Sequence, residues 1–257
     1  MQRSFWSALL CSVVAATLGA QSIAQRVTSA EGTVQVIYNS RATACGDGET
    51  YIGNVFGESA YYSGNTTFSG HGSWNSRPCV HGPARVVATV ISGEVTRLRP
   101  YVGPTPASDM RTLNASPAEA VTWLSGIVDR GNSKVASEAM LPLVLADTSE
   151  PWPFLLRVAR DENRPSSIRK GALTWLASGV TEKLGLVDAR SESDEDEVRD
   201  QVVFALSQRP KSESVPELID LARTSKHPSA RRSAIFWLGQ TGDARAVDVY
   251  ADLLKLR

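Results

Sequence analysis

The sequence predicts a small antiparallel β domain followed by an α-solenoid of stacked helical pairs, an α+β chain of two domains. One helical segment recurs three times in the C-terminal half, beginning at Ser167, Glu197 and Ser229. Steps of 30 and 32 residues between these copies have the period of stacked helix pairs. Residues 28–103 are instead rich in glycine, serine, threonine and valine and have almost no helical periodicity, which favours short strands.

The first 24 residues have the features of a secretory signal peptide. Arg3 precedes an apolar run from Phe5 to Gly19, and Ser22-Ile23-Ala24 offers a small-x-small cleavage site. The run is about 15 residues, whereas a spanning helix needs about 20. We therefore expect cleavage before Gln25, export to the periplasm and no spanning segment in the mature chain; an uncleaved anchor is the alternative.

Residues 25–103 form the predicted β domain. Val34–Tyr38 and Ala84–Ile91 are β-branched runs bounded by turn residues, and the second meets Glu94–Arg99 across the two-residue connection Ser92-Gly93, as in a tight hairpin. Cys45 and Cys79 are the two cysteines left after cleavage, an even number in an exported chain. The expectation is a disulfide that ties the long loops together; a two-cysteine metal site is the alternative, and it needs further ligands.

Residues 104–115 are predicted to be a proline-rich linker, and residues 116–257 the helical array. Ser116-Pro117-Ala118-Glu119 has the cap serine, first-turn proline and acidic residue of a helix start. We expect a lead-in helix near residues 117–129 and four helical pairs. Their first helices are predicted near residues 133–146, 166–178, 195–208 and 228–239. The recurrent leucines Leu176, Leu206 and Leu238 should pack between consecutive pairs.

The segment Leu238–Val247 reads L-G-x-x-G-D-x-R-A-V and resembles the turn signature of HEAT-like repeats of the phycobilisome-lyase type. Gly239 can end one helix and Asp243 can cap the next. The resemblance covers about residues 133–257. With the leader and the β domain, the layout resembles exported bacterial HEAT-repeat proteins, and this implies a scaffold that binds other proteins.

Charge and motifs limit the classes of function. The chain has 27 Lys and Arg against 27 Asp and Glu, so it lacks the basic excess typical of nucleic-acid-binding proteins. We expect no enzymatic activity and no cofactor. The alternative is an envelope enzyme, or a binder of a metal or small ligand, with its site in the β domain. Its candidate residues are His71, His81, Asp47 and Glu49 near the cysteines, although their spacing matches no recognised ligand motif.

The second helices of such an array line one extended surface, which is the predicted site for a protein or peptide partner in the cell envelope. Charged residues of those helices are the candidate partner-binding residues: Arg157, Arg160, Glu217, Asp220, Arg223, Asp248 and Asp252. The array has an open end at Arg257 without an obvious polar capping helix, so self-association is a further possibility.

Overall fold

A computed structural model describes residues 21–55, 58–63, 66–69, 79–148, 151–186 and 193–256. For 54, 58–63 and 66–69 it describes the backbone alone. The greater part of the predicted signal peptide, and His71, therefore lie outside the described residues. Within these ranges, no helix combines the length and apolar character needed to cross a membrane.

The described residues of the N-terminal part form two sheets. The four-stranded sheet has the order β8-β7-β1-β9 and the five-stranded sheet the order β5-β4-β3-β2-β6. All pairings are antiparallel except that of β1 with β9. The strands are β1 (Gly32–Tyr38), β2 (Cys45–Gly46), β3 (Tyr51–Val55), β4 (Glu58–Ser63), β5 (Thr66–Ser69), β6 (Val80–His81), β7 (Ala84–Ile91), β8 (Glu94–Val102) and β9 (Arg111–Asn114).

The predicted hairpin between β7 and β8 is confirmed. Its two connecting residues, Ser92 and Gly93, have φ angles of 53° and 76°. Positive φ at both positions is the geometry of a tight turn whose twist matches that of the flanking strands.

The predicted linker is wrong in its second half. Residues 111–114 form β9, which pairs in parallel with β1. Leu113 is buried against the core, and the Gln35 side chain donates a 2.6 Å hydrogen bond to Oγ1 of Thr112. The preceding strand β8 also runs through Pro100. Because β8 is at the edge of its sheet, the missing backbone donor of this proline disrupts no interior ladder.

The chain contains nine helices in its described part. They are α1 (Ile23–Thr28), α2 (Pro117–Arg130), α3 (Ser133–Leu145), α4 (Pro151–Arg160), α5 (Ser166–Lys183), α6 (Asp194–Ser207), α7 (Lys211–Thr224), α8 (Pro228–Gln240) and α9 (Ala244–Leu254). The lead-in helix and the first helices of all four predicted pairs are confirmed. Ser116 and Glu119 form the capping box that starts α2. The second predicted pair begins with α5. In the described residues no second helix of this pair follows α5.

Helix α3 joins the sheet to the helices. The Tyr38 hydroxyl donates a 2.6 Å hydrogen bond to the carbonyl of Pro142, and Nε of Arg41 donates one of 2.7 Å to the carbonyl of Val144. From the helical side, the Glu138 carboxylate accepts a 2.8 Å hydrogen bond from the amide of Leu98 on β8. The buried apolar cluster includes residues of both halves. The two predicted domains therefore pack against each other.

The order of the helices in space differs from the consecutive order predicted for the solenoid. Helix α5 packs against α3, α4 and α8, whereas α6 packs mainly against α8 rather than against α5. The first helices thus lie in the order α3, α5, α8, α6, and the second helices in the order α4, α9, α7. Leu176, Leu206 and Leu238 are all buried. Their predicted burial is confirmed, but the last pair, α8 and α9, lies between the helices α5 and α4 on one side and the helices α6 and α7 on the other.

The distribution of apolar residues explains this order. Helix α9 buries six of its eleven residues: Ala246, Val247, Val249, Tyr250, Ala251 and Leu254. Helix α6 begins with four acidic residues and buries only Val203 and Leu206. Burial of apolar surface drives packing, so α9, which buries most of its apolar side chains, lies inside the stack, whereas α6, which leaves Val198 and Val202 exposed, lies at its end. The free end of the stack is therefore at α6 and α7.

Candidate functional site

The alternative site in the β domain is not assembled by the described residues. The carboxylate of Asp47 accepts hydrogen bonds from the amides of Glu49, Thr50 and Tyr51 and from the Thr50 hydroxyl, at 2.8 to 2.9 Å. Burial by itself would raise the pKa of Asp47, but these hydrogen bonds lower it to about 2. Asp47 thus holds a tight turn as a carboxylate.

The other described candidates near Asp47 also have local contacts. Nδ1 of His81 lies 3.0 Å from the carbonyl oxygen of Ala44. The Sγ atoms of Cys45 and Cys79 are 1.95 Å apart, at the distance of a disulfide bond that joins β2 to the edge strand β6. Among the described residues, no group of three or more His, Cys, Asp or Glu side chains is placed to hold a metal ion.

The predicted partner-binding residues lie on α4, α9 and α7, and ion pairs join these helices. Arg160 on α4 contacts Asp248 on α9 at 3.1 Å, and Arg223 on α7 contacts Asp252 on α9 at 2.9 Å. All four side chains remain about half exposed or more. Their contacts arise because α9 lies between α4 and α7. Exposed pairs of this kind add little to stability, about 0 to 1 kcal/mol each, so a partner can exchange with them at small cost.

Arg157, which is also on α4, is bound to the end of helix α2. Its guanidinium donates a 3.1 Å hydrogen bond to Asp129 at the end of α2, and Asp129 also accepts a short hydrogen bond from Arg164. Burial would raise the pKa of Asp129, but the hydrogen bonds from the two arginines lower it below its usual value. Arg157 also lies over the ring of Phe154, 4.9 Å from its centroid. It is therefore held in place while about half of its side chain stays exposed.

A groove runs beside Arg157 and Arg160, between α4 and the segment that follows α9. This α4 groove is lined by Pro153, Leu156, Arg157, Arg160, Asp161, Lys255 and Leu256. Lys255 has a left-handed conformation with φ of 57°, which turns the chain after α9 back toward α4. The lining combines apolar side chains with three cationic groups and one carboxylate.

The sequence reasoning missed Pro153, Lys255 and Leu256 as parts of a groove. Left-handed backbone is uncommon for lysine, so no pattern indicated that the chain turns there. Glu217 and Asp220 do not reach the α4 groove. They line a second groove, between α6 and α7. The seven predicted residues are therefore divided between two grooves and the ion pairs that join α4, α9 and α7.

These features define a class of protein in which a four-stranded β-sheet packs against a stack of helices and a second sheet lies beside its strand β8. Residues 184–256, which include α6 to α9, match a family model of HEAT repeats. No match was found among curated proteins, and none among solved structures. HEAT repeats commonly serve as scaffolds for protein interactions, which fits a non-catalytic adaptor.

Proposed function

We propose that this protein is an exported scaffold whose helical stack binds a protein or peptide segment in the cell envelope. The α4 groove is the proposed binding site. The observation that supports it is the convergence of Arg157, Arg160 and Lys255 around the apolar side chains of Pro153 and Leu156. A short extended segment is the shape that a groove between two helices accommodates.

The charges of the groove favour an acidic segment. Three cationic side chains face one carboxylate, that of Asp161, which already accepts a 3.1 Å hydrogen bond from Arg164. Arginine donates in a fixed fork that matches carboxylates, and an incoming carboxylate can take the place of Asp248 at Arg160. The expected ligand is therefore a segment with one or two apolar side chains flanked by Asp or Glu.

Paired charge reversals test the proposal. The double variant Arg157→Glu/Arg160→Glu should lose proteins that the unmodified chain captures from envelope extract. It should also bind an acidic synthetic peptide matched to the captured partner at least about tenfold more weakly, since reversal converts two attractions to repulsions. The control is Arg111→Glu/Lys226→Glu, which has the same change in charge at exposed positions that do not line the groove.

Retention of the captured proteins by the groove variant, or equal loss in both variants, would contradict binding at this groove. Export is tested separately by fractionation of cells that express the full chain. Recovery of the protein in the cytosolic fraction alone would refute the envelope location without bearing on the groove.

A further inference from the structure

Exposed apolar side chains are concentrated on α6. Three of the five large apolar side chains that are exposed in the described part of the chain belong to this helix: Val198, Val202 and Phe204. Val198 and Val202, one turn apart, are 62% and 63% exposed, whereas Phe204 is on another side of the helix, with its ring centroid 5.0 Å from that of Trp237. Isolated exposed apolar residues are common, but a group on one helix at the free end of a stack indicates a contact surface.

These residues form a stripe with charged ends. Glu195, Val198, Val202 and Ala205 follow one another at steps of three and four residues, so they share one side of α6. Arg209 follows in the turn after the helix and lines the same groove as Val202 and Ala205. The α6 stripe, defined by these five residues, is therefore negative at its start, apolar in the middle and positive at its end.

This arrangement is complementary to itself. Glu195 is seven residues before Val202, about 10 Å along the helix axis, and Arg209 is seven residues after it, two residues beyond the end of α6. When two copies pack antiparallel about a two-fold axis at Val202, Glu195 of each copy lies beside Arg209 of the other. Val202 then faces its equivalent, and Val198 lies opposite position 206, next to Ala205. A parallel arrangement would instead bring like charges together.

We infer that the α6 stripe is the interface of a symmetric dimer of this chain. A two-fold contact requires one patch that complements itself, and the order of charge along the stripe meets that requirement. In a repeat array each helix pair normally buries the side of its neighbour. The second copy of the chain would bury the side of α6 that carries the α6 stripe. Glu195 accepts a 3.2 Å hydrogen bond from Arg199 but stays 83% exposed, so its outer oxygen is accessible to a second cation.

A charge exchange tests the dimer by sedimentation velocity on the purified protein over a range of concentrations. Glu195→Arg and Arg209→Glu should each weaken association at least about tenfold, because every such change affects two symmetric ion pairs. The double variant Glu195→Arg/Arg209→Glu should restore association, since the pairs re-form with their signs exchanged. Val202→Lys should abolish it, whereas Ile91→Lys, at a 58% exposed position in the β7–β8 hairpin, should leave it unchanged.

Rescue separates an interface from a purely structural role. Both charge changes are unfavourable to the dipole of α6, so a stability effect alone would make the double variant worse than either single one. A monomeric wild-type protein at all concentrations, dimers that persist in Val202→Lys, or failure of the double variant to recover would overturn the proposal. None of these outcomes bears on the α4 groove, which is on a different surface.

Discussion

The packing of α8 against α5 is the feature of the fold that sequence order does not predict, and it can be tested by a cross-link. A β-carbon at Gly239 of α8 would lie 3.3 Å from Cβ of Ala177 on α5. Disulfides join β-carbons about 3.5 to 4.5 Å apart, so a shift of a few tenths of an ångström brings this pair into range. Ala177→Cys/Gly239→Cys is therefore expected to form a disulfide.

The size of the effect follows from the length of chain enclosed. The bond would close a loop of about 60 residues, for which the chain-entropy relation gives about 4 kcal/mol in the free energy of unfolding. Crowding reduces this gain, because the same β-carbon would be 3.0 Å from the hydroxyl oxygen of Tyr250. We expect a net gain of about 1 to 3 kcal/mol in urea unfolding relative to the reduced variant.

Peptide mapping without reduction would identify the cross-link. Ala177→Cys/Ser207→Cys is the matched control, since Ser207 follows Leu206 on α6 as Gly239 follows Leu238 on α8, and α6 is the helix that would follow α5 in a consecutive stack. Free thiols at positions 177 and 239 in oxidised protein, or a cross-link in the control instead, would refute the order α5, α8, α6.

Three further predictions concern other parts of the chain. Tyr250→Phe should lower the free energy of unfolding by about 1 to 2 kcal/mol, because the buried hydroxyl donates a 2.6 Å hydrogen bond to the carbonyl of Ile235; urea unfolding measures this. The lowered pKa of Asp47 implies a contribution to stability that is present above about pH 4 and is lost as the pH falls through about 2. Acid unfolding followed by circular dichroism should therefore be less steep for Asp47→Asn. If the chain is exported, N-terminal sequencing should find a start before Ile23, because this side chain is buried and cleavage before Gln25 would remove it.

Each of these predictions has a contrary result. Unchanged unfolding of Tyr250→Phe would mean that the hydroxyl is not engaged with α8. Parallel acid-unfolding curves for the Asn variant and the wild type would exclude Asp47 as the titrating group. A mature chain that begins at Gln25 would contradict the predicted start before Ile23 and would agree with the small-x-small site. Such a chain would also lack Ser22, whose hydroxyl caps α1 by accepting a hydrogen bond from the amide of Gln25.

Local sequence features predicted most of the secondary structure. The recurring alanine and leucine positions placed the helices, and Ser116 with Glu119 placed the start of α2, because caps and helical periodicity are properties of a few adjacent residues. Strand β9 was missed for the converse reason. Its four residues have only one buried apolar side chain, Leu113, and their pairing with β1 depends on residues about 77 positions away along the chain.

The candidate site was predictable as a set of residues but not as a geometry. Arg160, Asp248, Arg223 and Asp252 were expected on one surface because they lie on second helices, and the helical period is sufficient for that. Which of them meet depends on α9 lying between α4 and α7. No pattern within one helix encodes such a contact, because it results from competition among all helices for burial.

The sequence by itself therefore determined the two-part composition, the repeated helices and the residues that each helix exposes, since these follow from composition and period. Only the tertiary structure decided that α3 packs on the sheet, that α8 lies next to α5 and that α6 is at the free end. Apolar surface is buried according to how much each helix offers, and this total is fixed only when all elements pack together.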